Sequence, residues 1–169
     1  NYRNILRRYI RDYGENEDIN RAVQVLERAK RDVLKAQDKT ELIGYEGMAS
    51  NAYFEVLPIL ILNQKTDFPF HGRNRRPPKD AVNAMLSFAY TLIANDVAAA
   101  LETVGLDPYV GFLHTLRPGR TSLALDMMEE LRAYLGDRFI LSLINKRQIS
   151  VKDFLFQGDN GVVMTDKGK

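Results

Sequence analysis

The chain has 169 residues, 45% of them hydrophobic, which suits one domain with a proper apolar core and excludes a disordered chain. It contains no cysteine, which excludes disulfides and thiolate metal sites and fits a reducing cytoplasm. The net charge is only +2, yet basic residues cluster at 3–11, 73–79 and 117–120, as expected of a protein that meets a polyanion.

Apolar residues at helical spacing predict a mainly α fold. The predicted helices cover 3–13, 18–37, 40–62, 80–104, 108–117 and 122–146. Asp18 is the expected N-cap of the second helix, and Pro58 is expected to kink or end the third. The short fifth helix would carry His114, and the last helix has a weak point at Gly136.

Two segments break the helical pattern. Prolines and a glycine between 63 and 78 predict a loop. The tail changes period, and Asn160-Gly161 between short apolar runs predicts a small β-hairpin.

The longest apolar run, 56–62, is too short to span a bilayer, and the first residues carry no signal-peptide pattern, so we expect a cytoplasmic protein without a membrane partner. Because residue 1 is not Met, we also expect the chain to be part of a longer protein.

Glu46 is the clearest anomaly among the charged residues. It lies in an apolar stripe with Ile43 and Ala49, where a carboxylate is costly unless it is paired or bound to a metal. Asp126 and Glu129 are three residues apart and therefore share a helix face, although an isolated pair of this kind is more typical of a solvated surface. An ion pair with one of the arginines would explain Glu46 equally well.

The combination of these acids with His114 is more informative than any one of them. One imidazole and two or three carboxylates suit Mg²⁺ or Mn²⁺ better than Zn²⁺. The sequence lacks the His-Glu-x-x-His motif, repeated Glu-x-x-His pairs, glycine-rich phosphate loops and the Gly-x-Ser-x-Gly elbow. Beside so many arginines, the pattern indicates a divalent metal acting on a phosphodiester.

Four blocks of sequence resemble a known family. They are EGMASNAYF at 46–54, RRPPKDAVNAMLSF at 75–88, LDPYVGFLH at 106–114 and RTSLALDMME at 120–129. In order and spacing they are similar to the C-terminal catalytic domain of the CRISPR-associated integrase, the universal first protein of CRISPR systems, which inserts new spacers into CRISPR arrays. The similarity extends from about residue 18 through the tail hairpin.

The resemblance implies a metal site and a partner set. The metal ligands would be Glu46, His114 and Glu129, with Asp126 beside them as a supporting acid and Mg²⁺ or Mn²⁺ as the ion. The substrates would be double-stranded and branched DNA, with a spacer's 3′-hydroxyl joined to the repeat. A homodimer is implied, with a small ferredoxin-like partner that bridges two dimers.

On this interpretation, residues 1–149 form the helical metal-dependent catalytic domain and residues 150–169 its hairpin tail. The resemblance also implies an N-terminal β-rich domain, which we expect to be absent from this chain. Our candidates for phosphate contacts are Arg75, Arg76 and Arg120. Asn83 is a fourth DNA-binding candidate, through a hydrogen bond near the site, with an inter-helix contact as its alternative.

Two other functions fit the same residues. The chain could be a non-catalytic helical DNA-binding or assembly module in which the acids are structural. It could also be a metal nuclease of unrelated biology that reached the same ligands independently. Metal binding would distinguish an integrase from the non-catalytic module. A preference for branched DNA over random duplex would distinguish an integrase from the unrelated nuclease.

Overall fold

The computed structural model describes residues 1–169 and is mainly helical, with a two-stranded antiparallel sheet at its C-terminal end, as predicted. The elements in chain order are α1 (Tyr2–Tyr13), α2 (Glu17–Val33), α3 (Lys39–Leu60), α4 (Ala81–Thr103), α5 (Ser122–Leu131), α6 (Arg138–Asn145), β1 (Phe154–Phe156) and β2 (Val162–Met164). A π-helical segment, Arg132–Asp137, joins α5 to α6.

Side-chain caps set the start of three helices. Asn16, Asp38 and Asp80 each accept a hydrogen bond from a backbone N–H in the first turn of α2, α3 and α4. The prediction that Asp18 caps α2 is therefore wrong by two residues. Asp18 lies in the first turn, where its negative charge is favourable at a helix N-terminus. α2 also ends at Val33 rather than near residue 37, and α3 continues through Pro58 to Leu60.

The predicted short helix around His114 does not exist. Residues 107–120 form turns and bends between α4 and α5. The carbonyl of Pro108 accepts hydrogen bonds from the backbone N–H groups of Leu123 and Ala124, at 2.9 and 3.3 Å. A single short helix is marginal on its own, and here contacts with α5 replace its internal hydrogen bonds.

The core forms where α3, α4 and α6 meet. Fully buried side chains include Tyr53 and Leu57 of α3, Leu86 of α4 and Ile144 of α6. α1 and α2 close one side with Leu6 and Ile19, which have no exposed surface. By length and hydropathy α4 could cross a membrane, but in this fold it packs against α5, the π segment and β2.

The C-terminal hairpin belongs to the same core. Phe154 pairs with Met164 and Phe156 with Val162 in the antiparallel register. Phe154 and Val162 face inward and are buried. The Val162 N–H donates to the Pro78 carbonyl at 2.8 Å, which ties the hairpin to the loop over 61–80. The predicted hairpin is thus confirmed, and the boundary between residues 149 and 150 stays a prediction.

Candidate functional site

His114 is held by a buried carboxylate on α5. Its Nδ1 lies 2.6 Å from Asp126 Oδ1, which also accepts the His114 backbone N–H at 2.9 Å. Asp126 Oδ2 accepts the N–H groups of Phe112 at 2.6 Å and Leu113 at 2.9 Å. An ionised carboxylate only accepts hydrogen bonds, so the Nδ1 proton belongs to the histidine and Nε2 is left as the free ring nitrogen.

The Asp126 side chain has no exposed surface, and its ionisation reflects two opposing effects. Burial raises the pKa of this carboxyl, but hydrogen bonds from the Leu113 backbone, the His114 side chain and backbone, and the Phe112 backbone outweigh burial. The pKa of Asp126 is therefore held below its usual range. At neutral pH the result is an anion that fixes both the loop and the imidazole ring.

The loop passes so close to α5 that only glycine fits at position 111. A Cβ on Gly111 would lie 2.7 Å from the backbone carbon of Ser122 and 2.8 Å from Asp126 Oδ2. Neither the backbone of Ser122 nor the buried carboxylate has room to withdraw. The close approach is what brings the three backbone N–H groups within reach of Asp126.

Glu129 lies one turn after Asp126 and meets an arginine. Arg132 Nη1 donates to Glu129 Oε1 at 2.7 Å. Burial raises the pKa of Glu129, Arg132 acts against this, and the nearby charge of Glu46 raises the pKa further, so the net shift is upward. Arg132 therefore contacts Glu129 of α5 and also lies near Glu46 of α3.

Glu46 does not lie where its pattern indicated. Its side chain is 55% exposed, and Ile43, its neighbour in the stripe, is exposed too. The expectation of a buried carboxylate is wrong because the first half of α3 extends beyond the core and only residues from Ala52 onward are buried. Glu46 Oε1 nevertheless lies 3.8 Å from Arg132 Nη2, so an arginine pairs with it as the alternative explanation supposed.

The donor set fits a hard divalent cation in its chemistry. Glu46 and Glu129 offer carboxylate oxygens, and His114 offers Nε2. No three carboxylate or histidine side chains stand close enough together to hold a metal ion as they are arranged. Arg132 lies between the two glutamates, and the oxygens of Asp126 are engaged by the loop. To bind one ion, the three donor side chains have to come closer together than they stand here.

The four predicted DNA-contact residues have different surroundings. Arg75 and Arg76 are exposed on the loop between α3 and α4, and the charge of Arg75 lowers the pKa of Glu129. Arg120 is half-buried just before α5. Asn83 has no exposed surface, because its amide binds the Gly72 carbonyl, Asp80, Arg73 and the Asn74 N–H. Asn83 has no surface available for a direct contact with DNA and instead fastens the loop to α4.

Sequence reasoning missed a buried polar network beneath the two glutamates. Arg132 Nη2 donates to the Tyr2 hydroxyl at 2.5 Å, and the Tyr90 hydroxyl donates to the Asp137 carboxylate. Burial raises the pKa of Asp137 to about 6, although the Tyr90 hydrogen bond and Arg132 oppose it. The i, i+3 spacing of Glu129 and Arg132 is the one signal in the sequence. Nothing in the sequence connects Tyr2 with a residue 130 positions later.

Comparison with known proteins gives the family. The family model described as CRISPR associated protein Cas1 matches residues 1–169. The CRISPR-associated endonuclease Cas1 of Leptospira interrogans is 48% identical over 158 residues, which cover 92% of this chain and 62% of that protein. A structure of a casposase bound to integration product matches with a TM-score of 0.79 and 27% identity, over 99% of this chain and 46% of that one.

A partial Cas6-RT-Cas1–Cas2 complex contains a chain that matches with a TM-score of 0.85 and 25% identity, over 98% of this chain and 50% of that one. The chain thus spans about half the length of the proteins to which it is similar. The family match covers every residue of the sequence. The chain belongs to the CRISPR associated protein Cas1 family.

Proposed function

We propose that this chain is the catalytic part of a divalent-metal-dependent DNA endonuclease and integrase that inserts new spacers into a CRISPR array. In the reaction, a DNA 3′-hydroxyl attacks a phosphodiester. The observation that carries the proposal is that Arg132 contacts both Glu46 and Glu129, two of the predicted ligands, while Asp126, one turn before Glu129, holds His114, the third. The relatives support it, since one is named an endonuclease and another is a casposase bound to integration product.

In this proposal Glu46 and Glu129 are anionic ligands and His114 is the neutral nitrogen ligand of Mg²⁺ or Mn²⁺. When bound, the metal would polarise the scissile phosphate and make the attacking hydroxyl or water more acidic. The hydrogen bond from His114 Nδ1 to Asp126 fixes the orientation of the ring and the tautomer of its neutral form, in which Nε2 carries the lone pair that can bind a metal. The role of Asp126 is therefore positioning, because all of its hydrogen bonds serve the loop.

Arg75, Arg76 and Arg120 are the proposed phosphate contacts. Arg75 and Arg76 are exposed on the loop between α3 and α4, and the charge of Arg75 lowers the pKa of Glu129. A duplex bound to this loop would therefore pass close to the proposed ligands. Contacts of this type position DNA without reading its bases and weaken as salt rises. Asn83 contributes indirectly by holding the Gly72–Asn74 part of that loop.

We further propose that the protein acts in the cytoplasm as a homodimer with a small ferredoxin-like CRISPR-associated partner. One matched structure is a Cas1–Cas2 assembly, which supports a second Cas protein as partner. The N-terminal β-rich domain that the family resemblance implies would belong to the rest of the protein.

A cleavage and strand-transfer assay on branched DNA with Mn²⁺ tests this function. We expect His114→Ala and Glu129→Gln to lower the reaction rate by more than ~100-fold. Removal of a metal ligand should lower the activity at least as much as removal of a residue that hydrogen-bonds to a ligand. Glu130→Gln is the matched control, since Glu130 is adjacent but exposed, and it should retain full activity.

The alternatives give different results in the same assay. A non-catalytic module would bind DNA without cutting it, with or without metal. An unrelated metal nuclease would cut random duplex as fast as branched DNA. Either result would contradict the integrase proposal.

A further inference from the structure

We propose that Arg132 is a positioning residue for the metal ligands. Its guanidinium holds one oxygen of Glu129 on α5 and attracts Glu46 from α3, which draws the two carboxylates toward each other. This inference rests on the proposed function, because it concerns the same three ligands. It adds a residue that the sequence analysis did not assign to the site.

Arg132 is placed between the two glutamates by its hydrogen bonds. It is only 3% exposed, although it is a charged side chain. Nη1 donates to Glu129 Oε1 at 2.7 Å, while Nη2 donates to the Tyr2 hydroxyl at 2.5 Å and lies 3.8 Å from Glu46 Oε1. Burying an arginine is costly unless its partners are well placed, so these contacts fix the guanidinium firmly.

Aromatic rings on both sides restrict the guanidinium further. Its Cζ lies 5.2 Å from the centre of the Tyr90 ring and 6.0 Å from that of Tyr2. Tyr2 in turn stacks on Tyr53, with ring centres 4.1 Å apart. The Arg132 guanidinium is therefore held in place. A closer contact between it and Glu46 requires movement of the exposed Glu46 side chain.

The π-helical segment explains why this arginine points inward. In a π turn the backbone bonds residues five apart, so Arg132 and Asp137 come to lie one above the other. Both are buried, and both face Tyr90, whose hydroxyl donates to Asp137. The π-helical segment thus contains both the cation that contacts the proposed ligands, Arg132, and a buried carboxylate, Asp137. π-helical turns within α-helices occur frequently at functional sites.

Arg132 supports Glu129 without using up its capacity as a ligand. The hydrogen bond engages Oε1 only, which leaves Oε2 available. Ligating carboxylates are commonly hydrogen-bonded in this way by residues that do not touch the metal. Without the cation, the two glutamates would repel each other, and Glu46 would turn into solvent. The expected consequence of losing Arg132 is weaker metal binding.

Calorimetric titration of the protein with Mn²⁺ tests this role. We expect Arg132→Gln to raise the Mn²⁺ dissociation constant by about 10- to 100-fold, as for other residues that support metal ligands. Arg132→Lys should recover part of the affinity, because it keeps the charge but not the two-point contact. Circular dichroism checks that each variant is folded.

Arg73 offers a matched control. It stacks on the same Tyr90 ring at 5.5 Å but bonds Asn83 and Ser87 and contacts neither glutamate. Arg73→Gln should therefore bind Mn²⁺ as the wild type does. If Arg132→Gln does not fold, Tyr2→Phe decides, since it removes one hydrogen bond to Arg132 and keeps the stacked ring. Weaker Mn²⁺ binding by folded Tyr2→Phe supports the role, and unchanged binding overturns it.

The same titration separates this inference from the function on which it rests. If the wild type binds Mn²⁺, His114→Ala does not, and folded Arg132→Gln binds with wild-type or higher affinity, the role of Arg132 is rejected and the ligand set stands. If His114→Ala binds as well as the wild type, the ligand set itself is wrong. Absence of Mn²⁺ binding by the wild type overturns both.

Discussion

Asp126 shows how a single buried carboxylate can position a side chain, here His114, which we propose as a metal ligand. It accepts hydrogen bonds from three consecutive backbone N–H groups and from the imidazole of His114. The sequence placed Asp126 on the helix face it shares with Glu129, as a supporting acid. It did not reveal that the support goes to a loop, because the loop itself was predicted as a helix.

Asp126→Asn should weaken the fold by about 2–3 kcal/mol at pH 7, because the amide nitrogen would meet N–H donors where an oxygen now accepts them. The pKa of Asp126 is lowered in the folded state, so the wild type's advantage is present above the unfolded value of 3.8. That advantage disappears as the pH falls through the lower folded value. Urea unfolding of both proteins at several pH values measures the difference.

Asp159→Asn is the control for this prediction, since Asp159 is exposed on the hairpin turn and its substitution should change little at any pH. A difference between Asp126→Asn and wild type that grows as the pH falls below 4 would contradict the assigned role. It would mean that the carboxylate is not the preferred form in the folded protein.

At the scale of elements, periodicity predicted most of the helices, the 63–78 loop and the C-terminal hairpin. It failed at 107–120. There the Pro108 carbonyl accepts hydrogen bonds from α5, and the Asp126 carboxylate on α5 accepts hydrogen bonds from the loop, so the hydrogen bonds of a helical turn do not form. It also failed for Glu46, because an apolar stripe does not reveal whether a neighbouring element covers it. Both failures have one physical cause, namely that tertiary contacts decide burial and local hydrogen bonding.

Gly136 was predicted as a weak point, and the structure places it in the π segment. A Cβ there would lie 2.9 Å from Cε1 of Tyr90, whose hydroxyl is held by Asp137. Because the Tyr90 ring cannot move away, Gly136→Ala should destabilise the fold by about 1–3 kcal/mol and displace the ring that supports Arg132. Thermal unfolding measures the loss.

Gly44→Ala is the matched control for that change. Gly44 is also helical, but a Cβ there has no atom within 4 Å. Alanine should therefore stabilise α3 by up to about 1 kcal/mol, because it is the better helix former. Equal effects of the two substitutions would show that the contact with Tyr90 is not the cause.

At the scale of the whole molecule, the candidate site draws on elements that are far apart in the sequence. Tyr2 comes from α1, Glu46 from α3, Tyr90 from α4 and Glu129 from α5, and His114 comes from the preceding loop. The proposed ligands could be named from the sequence. The buried arginine and tyrosines that hold them could not, since they meet only after the helices have packed.

In the proposed site, His114 and Glu129 bind one divalent cation together. The most direct measurement is nuclear magnetic resonance of the histidine ring signals during a titration with Mn²⁺, whose unpaired electrons broaden the signals of nearby nuclei. We predict that equimolar Mn²⁺ removes the His114 signal in the wild type and in Glu130→Gln, and leaves it intact in folded Glu129→Gln. A His114 signal that persists in the wild type at excess Mn²⁺ would contradict the account.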